Sequence, residues 1–374
     1  MPPPEPVVRA IQALARPRCA YVYDLGVLRA TAGRLRSALP HTTLVYAVKA
    51  NSHPSVVRTL AAALDGVDVA SAGELSLARS VGARRIMVSG PAKTDALLHA
   101  AADAGAQINV ESAHELHRVP PGARVAIRVN RPGAGLPGTH AMTGVPTQFG
   151  ADPSDIPALL SLARSRGIDV LGFHLHAVSN NLDAAAHAAY VRSALAWSVA
   201  AAAEHNLHLR TVNVGGGLGV DYTGDRTFDL PAFTVDAPPG IDLILEPGRF
   251  LAADAGWYAA EVIDIKHSQG RWFAILRGGT HHFRLPAAWG YSHPFTVMPV
   301  AEWPYSSPRP SVTATEIDVA GELCTPRDIL ARDTPVTHLR AGDVLVFGRA
   351  GAYGWDISHH DFLSHDHPAF VILD

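Results

Sequence analysis

Lys49 closes an apolar run, VYAVKA at 45–50. A lysine standing alone is commonly a solvated surface residue. At the mouth of a barrel, desolvation can strip its charge, and the free amine can attack a carbonyl carbon. Glycines 215–217, followed by Leu218-Gly219, are the second feature. No Walker lysine accompanies them, and Val220 stands where a G-x-G-x-x-G pattern needs its last glycine. They read as a tight turn or as a phosphate cradle, and the cradle gains if they follow the seventh strand of a barrel. Glu246, in EPGR at 246–249, is either a rim salt bridge to Arg249 or a carboxylate keeping a pyridine nitrogen protonated. His176, in FHLHA beside Ser179, is a hydrogen-bonded core residue or a rim residue of the site. An amine nucleophile with a phosphate cradle suggests pyridoxal phosphate as cofactor.

These residues need elements to hold them. Short, β-branched runs at 43–50, 66–71, 85–90, 107–112, 124–130, 170–177, 211–217 and 242–249 predict buried parallel strands. Helical patterns lie between them, such as 54–64, 94–104 and 153–166, with Ser52, Ser71 and Asp152 as N-cap signals. Eight strands with helical crossovers predict a (β/α)8 barrel, an α/β fold, over 28–250. A doubly wound sheet competes, and strand counting does not exclude it. Reactive residues of a barrel collect at the C-terminal strand ends, which here carry Lys49, Asp68, Ser71, Arg128, His176, the glycines, Glu246 and Arg249. Asp68 and Arg128 thereby join the candidate cofactor contacts. Beyond residue 250 the runs 257–265, 272–276, 315–320 and 343–347 are separated by turns and predict a mainly antiparallel β domain over 251–374, with 1–27. The Pro- and His-rich stretch 281–310 reads as an irregular loop.

The 374 residues suit two domains, and a net charge of −3 gives no electrostatic case for nucleic acid or an anionic membrane. Two cysteines, Cys19 and Cys324, cannot make a disulfide framework, which fits a reducing cytoplasm. The N-terminus lacks the apolar run of a secretory signal, and no stretch reaches the roughly 20 apolar residues of a membrane span. A soluble, cytoplasmic protein is expected.

With YAVKAN at 46–51, DVASAGEL at 68–75, RVN at 128–130, QFG at 148–150, GFHLHAVS at 172–179, GGGL at 215–218, EPGR at 246–249, ELCTPRD at 322–328 and GAYG at 351–354, the chain resembles the fold-type III pyridoxal-phosphate decarboxylases, the diaminopimelate and ornithine decarboxylase group. The resemblance implies that Lys49 forms the Schiff base and that His176 stacks on the cofactor ring. It implies that Glu246 pairs with the ring nitrogen. Ser179, Gly216, Gly217, the Gly248–Arg249 backbone and Tyr353 would hold the phosphate. Cys324 would enter from a partner subunit and protonate the carbanion, which makes the enzyme a homodimer with two shared sites.

In better-known members an acidic residue follows the cysteine and binds the substrate's distal amine; here Thr325 stands there, followed by Pro326 and Arg327. An amine buried without a carboxylate is costly. Arg277 and Arg349 also stand where acids appear lost, and Arg284 lies where members carry a carboxylate-binding arginine. Trading acid for base predicts a carboxylate-rich substrate held by Arg284, Thr325, Arg327, Tyr353 and loop histidines such as His281. HAVSNNLD at 176–183, ELCTPRD at 322–328 and GWDISHHDFLSH at 354–365 bring the resemblance closest to siderophore decarboxylases of the staphyloferrin B type, acting on citryl-diaminopropionate. The twenty histidines come without H-E-x-x-H or a cysteine–histidine framework, so no metal and no metal-dependent hydrolase is expected. Decarboxylation of diaminopimelate or another diamino acid is the alternative. A racemase of the same fold typically sets a cation at the ring nitrogen, against which Glu246 argues; a non-catalytic cofactor-binding homologue could discard Lys49 or Cys324, and both are here.

Overall fold

The computed structural model describes residues 2–374 apart from 134, 135, 137 and 139. Eight parallel strands close a barrel: β1 Thr43–Ala47, β2 Gly66–Val69, β3 Ile86–Val88, β4 Gln107–Val110, β5 Arg124–Arg128, β6 Asp169–His174, β7 Thr211–Asn213 and β8 Asp242–Leu245. Each pairs with its sequence neighbours, and β8 closes on β1 through Ile244 against Thr43 and Leu245 against Leu44. The runs that look apolar in sequence are the buried ones; Val45, Met87 and Ile244 pack together as one buried cluster. This closure excludes the doubly wound sheet.

Crossover helices start where side chains can take up orphan backbone donors. Ser71, Thr94, Ser112 and Asp183 each accept from an N–H three residues on, opening Ala72–Ser80, Asp95–Asp103, Ala113–Arg118 and Ala184–Glu204. Such a cap contributes about 1 kcal/mol. The expected cap at Ser52 is not the one used. Pro54 takes the first helical position of Pro54–Ala63, and His53 before it accepts from Ser55 N–H.

A second compact unit gathers residues 1–27, 222–225 and 252–374, and the barrel unit holds 28–221 and 226–251. The second unit is built on the long strand Gly256–Ser268, which pairs antiparallel with Cys19–Asp24, Arg271–Leu276 and Val344–Phe347. Ser311–Ala320 and Ile329–Arg340 form an antiparallel pair beside it, while two contacts are parallel: Cys19–Asp24 with Ala369–Leu373, and Arg271–Leu276 with Ser311–Ala320. Val22, Trp257, Ala259, Val344 and Val346 form part of its core. The stretch 281–310 is more regular than its composition suggests. It contains the helix Leu285–Trp289 and the strand Phe295–Met298; Pro286 suits the helix start, and Gly290, at φ +68°, ends it in the left-handed conformation. No helix among the described residues is long and apolar enough to cross a membrane.

Candidate active site

Every barrel strand contributes at least one polar side chain at, or within two residues of, its C-terminal end, among them Lys49, Asp68, Ser89, Asn109, Arg128, His174, Asn213 and Glu246. The sequence reading captures Lys49, Asp68, Arg128 and Glu246. The other four are polar residues inside or just after apolar runs, a signal visible only once the strand ends are known.

Lys49 sits in a 3-10 turn, Val48–Ala50, just past β1. Its Nζ lies 3.9 Å from Asp68 Oδ2; the lysine side chain is 47% exposed and the aspartate 1%. Ser89 Oγ donates to Asp68 Oδ1 at 2.6 Å, and Asn109 Nδ2 donates to Ser89 Oγ at 3.0 Å. Burial pushes the Asp68 carboxyl up, nearby Glu246 adds to this, and Lys49 and Ser89 oppose it. The Lys49–Asp68 distance alone would suggest an ion pair, but burial in the barrel favours the neutral acid.

Glu246 behaves oppositely. Burial alone would raise it, yet His174, Lys49 and Asn213 together hold it well below the usual carboxylate range. Asn213 Nδ2 donates to Glu246 Oε1 at 2.6 Å, and His174 Nε2 stands 3.6 Å from Oε2. The rim pairing with Arg249 that the sequence allows is thus not needed to account for this carboxylate. Arg128 donates to Glu111 Oε1 at 3.2 Å, and its guanidinium lies over the Phe149 ring, 4.6 Å from the centroid.

His176 lies two residues beyond β6, not at its end, and His174 is the last strand residue. Gly216 N–H donates to His176 Nδ1 at 3.2 Å, and burial lowers the basicity of this imidazole. The glycine turn fits because side chains cannot. A Cβ on Gly216 would stand 2.3 Å from the Glu246 carbonyl oxygen, and Gly217, at φ +104°, would set one 2.6 Å from the Val178 carbonyl oxygen. Gly248 is similarly close to Ala50 and Ala47 of the Lys49 turn. Ser179 ends the short strand Val178–Ser179, and the buried Arg249 opens the helical turn Arg249–Ala252.

In the second unit, Cys324 is exposed on the turn 322–328. Two carboxylates, the buried Asp328 and the half-buried Glu322, frame that turn. Asp328 accepts from Thr280 N–H at 2.6 Å and Leu323 N–H at 2.8 Å, while Glu322 pairs with Arg277 and lies 3.3 Å from His281 Nε2. His281 is wholly buried, which gives it a part in holding this turn. Arg277 is therefore neutralised inside the unit, as is Arg349, which donates to the Gly224 carbonyl at 2.8 Å and lies 3.5 Å from Asp254. Tyr353, at φ +55°, meets the Trp289 ring edge-on with centroids 6.0 Å apart.

Beside the turn lies a cavity of about 700 Å³ lined by Arg284, Thr325, Arg327, Arg332 and His359 among others, with no carboxylate in its wall. Arg332 faces Asp318 at 3.5 Å. The guanidinium groups of Arg284 and Arg327 have no partner among the described residues. His359 contributes a ring whose Nδ1 is buried and unbonded among those residues, and burial followed by Arg284 lowers its basicity. His359 is one of the paired loop histidines visible in the sequence, among which the sequence reading singles out only His281 by number.

Residues 25–253 match the family model of the pyridoxal-dependent decarboxylases, pyridoxal binding domain. A 2-[(L-alanin-3-ylcarbamoyl)methyl]-2-hydroxybutanedioate decarboxylase of Staphylococcus aureus is 38% identical, across 99% of this chain and 97% of that protein. A diaminopimelate decarboxylase of Deinococcus radiodurans is 35% identical, across 94% of this chain and 89% of its own. Among solved structures, Helicobacter pylori diaminopimelate decarboxylase with L-lysine superposes with a TM-score of 0.86 over 98% of this chain and 93% of that one; at 24% identity this likeness concerns the fold.

Proposed function

The chain belongs to the pyridoxal-dependent decarboxylases, and we propose that its substrate is citryl-diaminopropionate, decarboxylated during assembly of a carboxylate siderophore. The observation that carries this reading is the acid-free cavity with two guanidinium groups that have no partner among the described residues. The substrate named for the Staphylococcus aureus relative is a hydroxybutanedioate, so its non-reacting end bears two carboxylates. Guanidinium groups grip carboxylates through paired N–H donors. A diamino acid would instead bring a cationic amine toward Arg284 and Arg327, with Thr325 offering no charge.

The residues present fit pyridoxal phosphate: an amine at the barrel mouth, an ionised buried carboxylate, and a glycine turn too tight for side chains. The bound cofactor supplies an electron sink for the pair left behind when carbon dioxide departs. In this proposal Lys49 carries the cofactor through its Nζ. Glu246 holds a proton on the ring nitrogen, and His176 covers the ring face. Ser179, Gly216, Gly217, Gly248, Arg249 and Tyr353 bind the phosphate, and Asp68 and Arg128 complete the cofactor contacts. Arg284, Thr325 and Arg327 orient the carboxylate-bearing end. Cys324 delivers a proton to the reacting carbon of the partner subunit's site, so the working unit is a homodimer. Two cysteines in no disulfide suit a cytoplasmic enzyme.

The test is carbon dioxide release from citryl-diaminopropionate and from diaminopimelate under the same conditions. A kcat/KM at least tenfold higher for the citryl conjugate is expected. Equal or better turnover of diaminopimelate, ornithine or lysine would overturn the substrate and leave the reaction class standing.

A further inference from the structure

His174 occupies a costly position. It ends β6 in register with Arg128 on β5 and Asn213 on β7, so all three stand in one row across neighbouring strands. The residue is 1% exposed, and neither ring nitrogen has a hydrogen-bond partner among the described residues. A buried polar group left unbonded costs about 1–3 kcal/mol, and a phenylalanine or leucine in this place would avoid that cost. Such a group calls for a reason beyond packing. The carboxylate facing it is Glu246, whose Oε2 is 3.6 Å from His174 Nε2, slightly beyond hydrogen-bond length but within ion-pair reach. The other carboxylate oxygen, Oε1, is taken by Asn213 at 2.6 Å. Asn213 is itself fixed, since its Oδ1 accepts from Gly215 N–H at 2.9 Å. Glu246 is thus flanked on both oxygens by residues of the two strands preceding its own.

We infer that His174 is a positioning residue for Glu246, presenting an Nε2–H to Oε2 so that the carboxylate stays ionised and its plane stays fixed. The ring does this as a neutral imidazole, because burial disfavours its charged form. A neutral donor stabilises the carboxylate without cancelling its charge, which leaves that charge for a proton held on the cofactor's ring nitrogen. The inference rests on the proposed pairing of Glu246 with that nitrogen.

The test uses the holoenzyme reconstituted with 15N-labelled cofactor. His174→Leu should reduce kcat about tenfold with KM changed less than twofold. It should move the ring-nitrogen resonance toward its unprotonated position and shift the acidic limb of the kcat–pH profile to higher pH. A packing role alone would lower the melting temperature and leave the resonance and the limb in place, and that result would overturn the inference. Glu246→Gln separates the two layers. If it leaves the ring-nitrogen resonance unmoved, the pairing of Glu246 with the cofactor falls, and not merely the part given to His174. Should His174→Leu fail to fold, 15N-histidine labelling of the wild-type holoenzyme decides. A proton-bearing Nε2 is expected, and a bare Nε2 with the proton on Nδ1 would overturn the assignment.

Discussion

Replacing Arg284 by alanine should separate the citryl substrate from every small amino acid. Its guanidinium is exposed on the wall of the acid-free cavity and has no partner among the described residues, so removing it leaves no buried charge behind. The loss is then that of one charge-assisted contact to a ligand carboxylate, about 1.5–3 kcal/mol in a dry site. Exposure to solvent brings the expectation just below that range, to about 1.4 kcal/mol, which is tenfold in affinity. Initial-rate kinetics should show KM for citryl-diaminopropionate rising about tenfold, with kcat changed little because the contact is made equally before and during reaction. KM for diaminopimelate should change less than twofold. Arg327→Ala should act likewise, and the double variant should fall short of additivity if both groups hold the same end of the ligand. An equal rise in KM for both substrates would mean general distortion of the turn, and no rise for the citryl substrate would refute the carboxylate-binding role.

Sodium borohydride followed by digestion and mass spectrometry should place the reduced cofactor on Lys49 alone; label on another lysine would end that assignment. Mixed Lys49→Ala and Cys324→Ala subunits should regain up to about a quarter of wild-type activity, since random pairing makes half the dimers hybrid with one intact site each. Hybrids that form yet stay inactive would refute a shared site. Asp68 has its folded-state carboxyl raised by burial, so its contribution to stability is fully present below the unfolded value near 3.9 and is lost as pH rises through the folded value. Asp68→Asn in the cofactor-free protein should therefore raise the melting temperature at pH 8 by about 2 °C or more and give no gain at pH 4; the reverse order would refute the burial argument. Gly216→Ala should weaken cofactor binding at least tenfold, measured by fluorescence titration, because its Cβ would press on the Glu246 carbonyl oxygen.

The barrel is legible because its strands are short, β-branched apolar runs separated by helical patterns, and Lys49 and Glu246 are legible because each stands at the end of such a run. The two histidines of FHLHA are not separable in sequence. They lie two apart, so a period of two puts both on one face, and only the end of β6 distinguishes them. The strand Ile329–Arg340 escapes notice because Pro335 and several charges interrupt its pattern; the strand lies at the end of its sheet, where proline is tolerated. The arginines show the deeper limit. Arg277 and Arg349 look as available as Arg284 and Arg327, and only folding brings Glu322 and Asp254 to the first two.

The Cys324 turn divides its labour in a way that bears on how such enzymes diversify. Its frame depends on Glu322, Leu323 and Asp328, and the Asp328 carboxylate fits only because Gly279 and Gly321 lack side chains; a Cβ on either would stand within 2.6 Å of it. Thr325, Pro326 and Arg327 lie between these anchors, and the turn closes across them through backbone bonds such as Asp328 N–H to the Thr325 carbonyl. Substitutions at those three positions leave the anchors intact. Ancestral changes of diet could thus accumulate there without a loss of folding to select against them, and a randomised library confined to 325–327 should be rich in well-folded enzymes with shifted appetites.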